Sequence, residues 1–268
     1  MRVPCPPCAL SLGLALALAA PAAAQTAGRV ATAFGLAAGV ADTHQRDEYL
    51  APATYRGAVF AASALFERRS ERTLLRFDLA ASAGRINAEA LPRDAHHYAI
   101  RLSGSLLRAL GAPPAPGRGL HLFAGGALSA FGAFTDFRVS DPVSGPTYND
   151  VSWYWLRSLD LMLRAERGGD ARRVSVQLST PVVRWVSRPP DGKDFDVAYR
   201  TWSRGLLGGR LEYPWSSTVV FGAVEYRQRL GGGVQLRAAY DFAYASADRP
   251  LPLGMYFNTL QLGVLLSK

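Results

Sequence analysis

The chain has almost no cysteine to work with. Its two cysteines, Cys5 and Cys8, both precede an apolar stretch from Ala9 to Ala20. Arg2 supplies a positive charge ahead of that stretch. Ala22 and Ala24 supply small residues behind it, and Pro21 interrupts it. This is the pattern of a secretory signal peptide, with cleavage expected after Ala24. The domain expectation is therefore a signal peptide at 1–24 and one unit at 25–268. No thiol remains after residue 24, which excludes disulfides, thiolate metal sites and a cysteine nucleophile. Lysine is nearly missing as well. It occurs at Lys193 and Lys268 alone, so arginine carries the formal charge of +9. Beyond the first segment, no run approaches the ~18 apolar residues of a spanning helix. Nucleophile elbow, phosphate loop and metal-ligand cluster are also missing, so neither metal nor cofactor is expected. Internal repeats and a linker that would divide two domains do not stand out either.

What the chain has is alternation. In "VQLRAAYDFAYA", Val234, Leu236, Ala238, Tyr240, Phe242 and Tyr244 share one face of an extended segment. Gln235, Arg237, Ala239, Asp241, Ala243 and Ala245 share the other, a period of two that marks a β-strand. The same pattern recurs in Leu75, Phe77 and Leu79 against Arg76 and Asp78, and in Ile100 and Leu102 against Arg101 and Ser103. It recurs again in Leu159, Leu161 and Leu163 against Asp160 and Arg164. Ten extended segments are predicted, near 29–41, 53–67, 72–83, 94–109, 118–133, 150–165, 171–186, 215–229, 233–246 and 254–267. Short Gly- or Pro-rich connections ("RRSE", "GAPPAPG", "RGGD", "GGG") alternate with longer polar ones along the whole chain.

Alternation alone also suits a soluble barrel or sandwich with its apolar face inside. Three features favour the inverted arrangement. Every segment is long enough to cross a bilayer at a tilt. Short and long connections alternate in the manner of transmembrane barrels. Aromatics gather toward the long-loop ends: Tyr55, Tyr98, Phe131, Phe134, Trp153, Trp155, Trp185, Trp215, Phe242, Tyr244 and Tyr256. They read as an interfacial girdle. On this pattern the whole chain after residue 24 resembles the bacterial outer-membrane β-barrel proteins as a broad class. The fold class expected is all-β: a single antiparallel up-and-down transmembrane β-barrel of ten strands. Twelve is the alternative, if "KDFDVAYRTWS" and "GGRLEY" add a hairpin within 187–214. One departure is the terminus, "LQLGVLLSK", where barrels of this class usually end in an aromatic residue.

The resemblance implies a Gram-negative outer membrane, both termini in the periplasm and a porin-like build. It implies lipids and the outer-membrane insertion machinery as partners, with a small-molecule or protein ligand left open. Nucleic acid is a poor partner, because the arginines cluster at the short-turn ends: Arg68, Arg69, Arg72, Arg108, Arg164, Arg167, Arg172, Arg173, Arg227 and Arg229. There they either reach lipid phosphates or form a basic vestibule. The charged residues expected to face the lumen are Arg76, Asp78, Arg101, Asp160, Arg164, Arg173, Glu225, Arg227, Arg237 and Asp241. In a narrow barrel they are expected to pair and block the passage, or to line a thin solute path.

The leading function is non-enzymatic: envelope structure, loop-mediated binding or narrow transport of small solutes. The alternative is an outer-membrane hydrolase working at the external rim. For that, "DTH" (Asp42, His44) and "DFD" (Asp194, Asp196) match the residue types that omptin-type proteases pair across the mouth, in reversed order along the chain. His97 with Ser103 fails as a catalytic pair. Six residues along a strand span about 20 Å, far beyond hydrogen-bond reach.

Overall fold

The computed structural model describes residues 30–47, 51–89, 94–111, 119–138, 149–169, 171–188, 205–212, 217–247 and 252–268. The proposed signal segment 1–24 lies outside them. Eleven strands follow in order: β1 (Ala31–Asp47), β2 (Ala51–Arg69), β3 (Thr73–Ala88), β4 (Asp94–Ala109), β5 (Leu120–Arg138) and β6 (Asn149–Gly168). Then come β7 (Arg172–Ser187), β8 (Arg210–Glu212), β9 (Ser217–Gly231), β10 (Val234–Ala247) and β11 (Leu253–Ser267). Each pairs antiparallel with its neighbours. The sheet closes into one ring, with β1 paired to β11 and β6 paired to β7.

The barrel has ten strand positions, because β8 and β9 share one. β7 pairs with β9 from Arg172↔Gln228 to Ser179↔Phe221, and with β8 from Arg184↔Glu212 to Val186↔Arg210. The break in the ladder falls at Pro181, which has no N–H to donate. The Thr180 hydroxyl bridges part of it by donating to the Val219 carbonyl at 3.2 Å. The "GGRLEY" stretch therefore extends an existing strand position, and "KDFDVAYRTWS" lies outside the described residues.

The short connections are held as tight turns need. Ser70 closes the β2–β3 turn, its N–H donating to the Thr73 carbonyl and its Oγ accepting from the Thr73 N–H. At β9–β10, Gly231, Gly232 and Gly233 all take positive φ, a region a side chain would strain. At the other end the strands outgrow their expected length. Residues 42–47, 85–88 and 246–247 continue the ladders rather than opening into loops. Antiparallel pairing satisfies backbone groups beyond the apolar belt, so polar sequence there does not end a strand.

The two faces sort as the alternation predicts. Leu159, Leu161 and Leu163 are exposed on the outer wall, as are Leu36, Phe60, Leu102, Leu128, Leu178, Leu260 and Leu262. Arg76, Asp160, Arg164, Glu225, Arg227 and Arg237 are buried inside. The aromatic expectation needs correction. Tyr98, Trp185 and Tyr244 are exposed on the wall, but Tyr55 and Phe131 point inward and are buried. Trp153 and Trp155 are buried too, packed with Val151 and Phe134. A side chain at Gly205 would strike both indoles, so the chain before β8 lies directly against them. Trp215 lies outside the described residues.

Candidate functional site: the lumen

The lumen is filled in two layers. The lower layer, nearer the short turns, is ionic. Glu225 on β9 gathers four arginines: Arg237 at 2.7 Å, Arg76 at 3.4 Å, Arg164 at 3.5 Å, and Arg227 in the closest bond of the four. Glu67 takes Arg227 through both oxygens, at 3.0 and 2.6 Å, a bidentate pair. Glu166 takes Arg164 at 2.7 Å and Arg69 in a short bond. Asp78 takes the Arg76 Nε and Nη2, both at 2.7 Å. Arg164 also donates to Gln177 and Ser175.

These partners come from strands on opposite sides of the barrel. The layer therefore ties the wall together across its diameter. Each charge left alone in so dry a place would cost several kcal/mol. Charges of both signs, with fork geometry, remove most of that cost. Beside the layer, Leu74, Leu107, Phe123, Ala127 and Met162 pack as an apolar wedge from β3 to β6, and the Arg69 guanidinium lies 5.3 Å from the Phe123 ring centre.

The upper layer is apolar. Phe131, Tyr154, Leu156, Val186, Val219, Phe221, Met255 and Phe257 form one buried cluster inside the loop-end half. Phe131 and Phe257 meet edge to face at 5.6 Å, an arrangement that suits the ring quadrupoles. Polar links lie above and beside this cluster. His97 Nδ1 bonds Thr135 Oγ1 at 2.9 Å, and Thr135 donates to Gln45 at 2.6 Å. Asp47 accepts from Ser152 at 2.6 Å and from Arg188 at 3.0 Å. Burial pulls the Arg188 guanidinium below its ordinary range, and Asp47 beside it works against that shift.

Among the other residues singled out from sequence, Asp160 lies on the inward face of β6 and accepts from Ser129 at 2.7 Å. Arg173 lies at the short-turn end of β7, opposite Arg227. Arg101 stands 4.0 Å over the Phe221 ring. Asp241 lines the same space as Arg101. Arg69, expected among the arginines of the short-turn ends, belongs to the ionic layer, as do Glu67 and Glu166, which were not among the residues expected to face the lumen. Their parity was the available signal, since Glu67 shares a face with Ser63 and Glu166 with Arg164. Phe131 could likewise have been placed inside by the company of Ser129.

The hydrolase pairing gains no geometry. Asp42 and His44 are on β1, on the face that carries Leu36 and Val40. There they bond each other at 3.2 Å, and the His44 ring stacks on Tyr256 at 4.5 Å. Asp194 and Asp196 lie outside the described residues. Ser103 bonds Ser129, not His97. Among the described residues, no group of three or more His, Cys, Asp or Glu could hold a metal ion.

A closed antiparallel barrel with leucine outside and ions inside is the architecture of the bacterial outer-membrane β-barrel proteins. No protein-family model matches the chain, and no curated protein matches it in sequence. Similar solved structures include the outer membrane protease OmpT from Escherichia coli, with 8% identity over 89% of this chain and 96% of that one at a TM-score of 0.47. They also include Neisserial surface protein A, with 13% identity, 87% and 97% coverage and a TM-score of 0.35. A third is a Pseudomonas aeruginosa FadL homologue, with 10% identity, 90% coverage of each chain and a TM-score of 0.32.

Proposed function

We propose that this chain is an integral protein of the bacterial outer membrane with a non-enzymatic role. In this reading the lumen is shut to free diffusion at rest, and the barrel serves envelope structure or binding rather than bulk transport. The ionic layer around Glu225 carries the reading. Four arginines and their carboxylates occupy the cross-section where a solute would have to pass. A wide aqueous channel is a property of barrels with sixteen or more strands, and ten positions leave little space once side chains are counted. Delivery by a cleaved signal peptide and assembly by the insertion machinery belong to the same reading. So does an outer wall seated in lipid.

The test is electrical. Purified protein inserted into a planar bilayer should show no steady single-channel steps at neutral pH. Stable steps from the unaltered protein would reject the closed reading in favour of narrow transport. Amino-terminal sequencing of the protein recovered from outer membranes should begin after Ala24.

A further inference from the structure

Between the ionic layer and the aromatic layer lies a chamber of about 110 Å³. Five charged side chains from the inner face line it, Arg76, Asp78, Arg101, Arg237 and Asp241, and three of them are already engaged. Arg76 is held by Asp78 at 2.7 Å, and Arg237 by Glu225 at 2.7 Å. The other two are Arg101, from β4, and Asp241, from β10. Neither makes an ion pair or a hydrogen bond with any described residue, and the Arg101 Nε is buried without an acceptor. The two feel each other electrostatically but are not in ion-pair contact. A guanidinium and a carboxylate thus face one space and are held apart across it.

Arg101 lays its guanidinium over the Phe221 ring at 4.0 Å, which leaves its edge, like the Asp241 carboxylate, facing the chamber without a charged partner in contact. A buried charge without a partner is destabilising by several kcal/mol, and a buried donor without an acceptor adds to it. A lone anion seated on Arg101 would meet Asp241, and a lone cation on Asp241 would meet Arg101. A molecule carrying both charges a short step apart would satisfy both walls. Its apolar part would then rest against Phe131 and Phe257, which close the chamber on the loop side. The volume is below the ~150 Å³ that accepts a benzene, so the occupant is small. We infer that the chamber binds one small zwitterion of the α-amino-acid type, with its carboxylate on Arg101 and its ammonium on Asp241. The inference rests on the closed-lumen reading, since only a shut barrel leaves these charges without bulk water. The aromatic layer is the side that yields to let the ligand in, because its packing is apolar and the ion pair above it, Asp47 with Arg188 at 3.0 Å, is a far sparser tie than the Glu225 layer.

The probe is radiolabelled L-alanine in equilibrium dialysis against the full protein in detergent, with propionate and ethylamine as competitors carrying one charge each. One saturable site is expected, with either competitor at least ~10-fold weaker than unlabelled alanine. R101M and D241N should each weaken binding by ~10-fold or more. A99F fills the chamber from β4 without touching a charge and should abolish binding. Heat-modifiable mobility on gels reports whether each variant still forms a barrel. Absence of saturable binding to the unaltered protein up to ~10 mM overturns the inference and leaves a hydrated internal charge pair. Unchanged binding in folded R101M and D241N overturns it as well, as does propionate competing as well as alanine. These outcomes are separate from the conductance test, which judges closure alone.

Discussion

Glu225 is the residue on which the ionic layer turns. It is buried, and its two oxygens face four guanidinium groups from β3, β6, β9 and β10. Replacing it with glutamine keeps the shape and removes the charge that holds those cations together. E225Q is expected to destabilise the barrel by about 3–5 kcal/mol, the usual consequence of breaking one member of a buried ionic cluster. Urea unfolding in lipid vesicles, followed by tryptophan fluorescence, measures it. A change no larger than that of a surface substitution would show that Glu67 and Glu166 carry the layer without it. On the opposite face, Leu161 is half-exposed in the middle of the outer wall. L161R should cost about 2–4 kcal/mol if that row faces the centre of a bilayer. Stability unchanged in vesicles would place water, not lipid, against β6.

At the scale of the strand, closure depends on how near backbones can come. At Gly39 in β1, a β-carbon would sit 1.9 Å from the Leu260 carbonyl oxygen of β11. The obstacle is backbone, so no rotamer change can relieve it. G39V is expected to prevent β1 from joining β11 and so to leave the barrel open, read as loss of the compact, heat-modifiable gel band. Gly126 in β5 is the matched control. The nearest atom to its would-be β-carbon is 3.5 Å away, an ordinary contact, and G126A should fold and migrate as the unaltered chain does. The break opposite Pro181 works the other way. There the ladder is interrupted without losing the strand position, because β8 takes over the pairing with β7.

The whole molecule is an inverted container. Its wall shows leucine, valine and aromatic side chains outward, and its interior stacks an ionic layer, a small charged chamber and an aromatic layer. A water-soluble barrel would bury the leucines and expose the arginines, so the sorting of charge is itself the statement about solvent. If the ionic layer is what shuts the lumen, neutralising it as a group should open a path. E225Q combined with R76Q, R164Q and R237Q is expected to give conductance steps in planar bilayers where the unaltered protein gives none. A silent but folded quadruple variant would assign closure to the aromatic layer of Phe131, Phe221 and Phe257 instead.

Strand number, strand direction and the sides on which Leu161 and Arg164 lie were legible in the sequence, because a period of two is a local property that each segment carries alone. The sequence by itself determined that this chain forms a sheet with one greasy and one ionic face, and that short turns alternate with longer connections. It did not reveal every aromatic that is inside. Parity with Ser129 places Phe131 inside, but the irregularity beside Pro181 sets the side on which Trp185 lies, and the segment before β8 is what covers Trp153. Nor could it pair Arg227 with Glu67 across 160 residues, or hold Arg101 apart from Asp241. Those relations follow from register and closure, which bring distant strands face to face across a lumen. Only the tertiary structure decided them, because the energy of a buried charge depends on what stands opposite it and not on what precedes it in the chain.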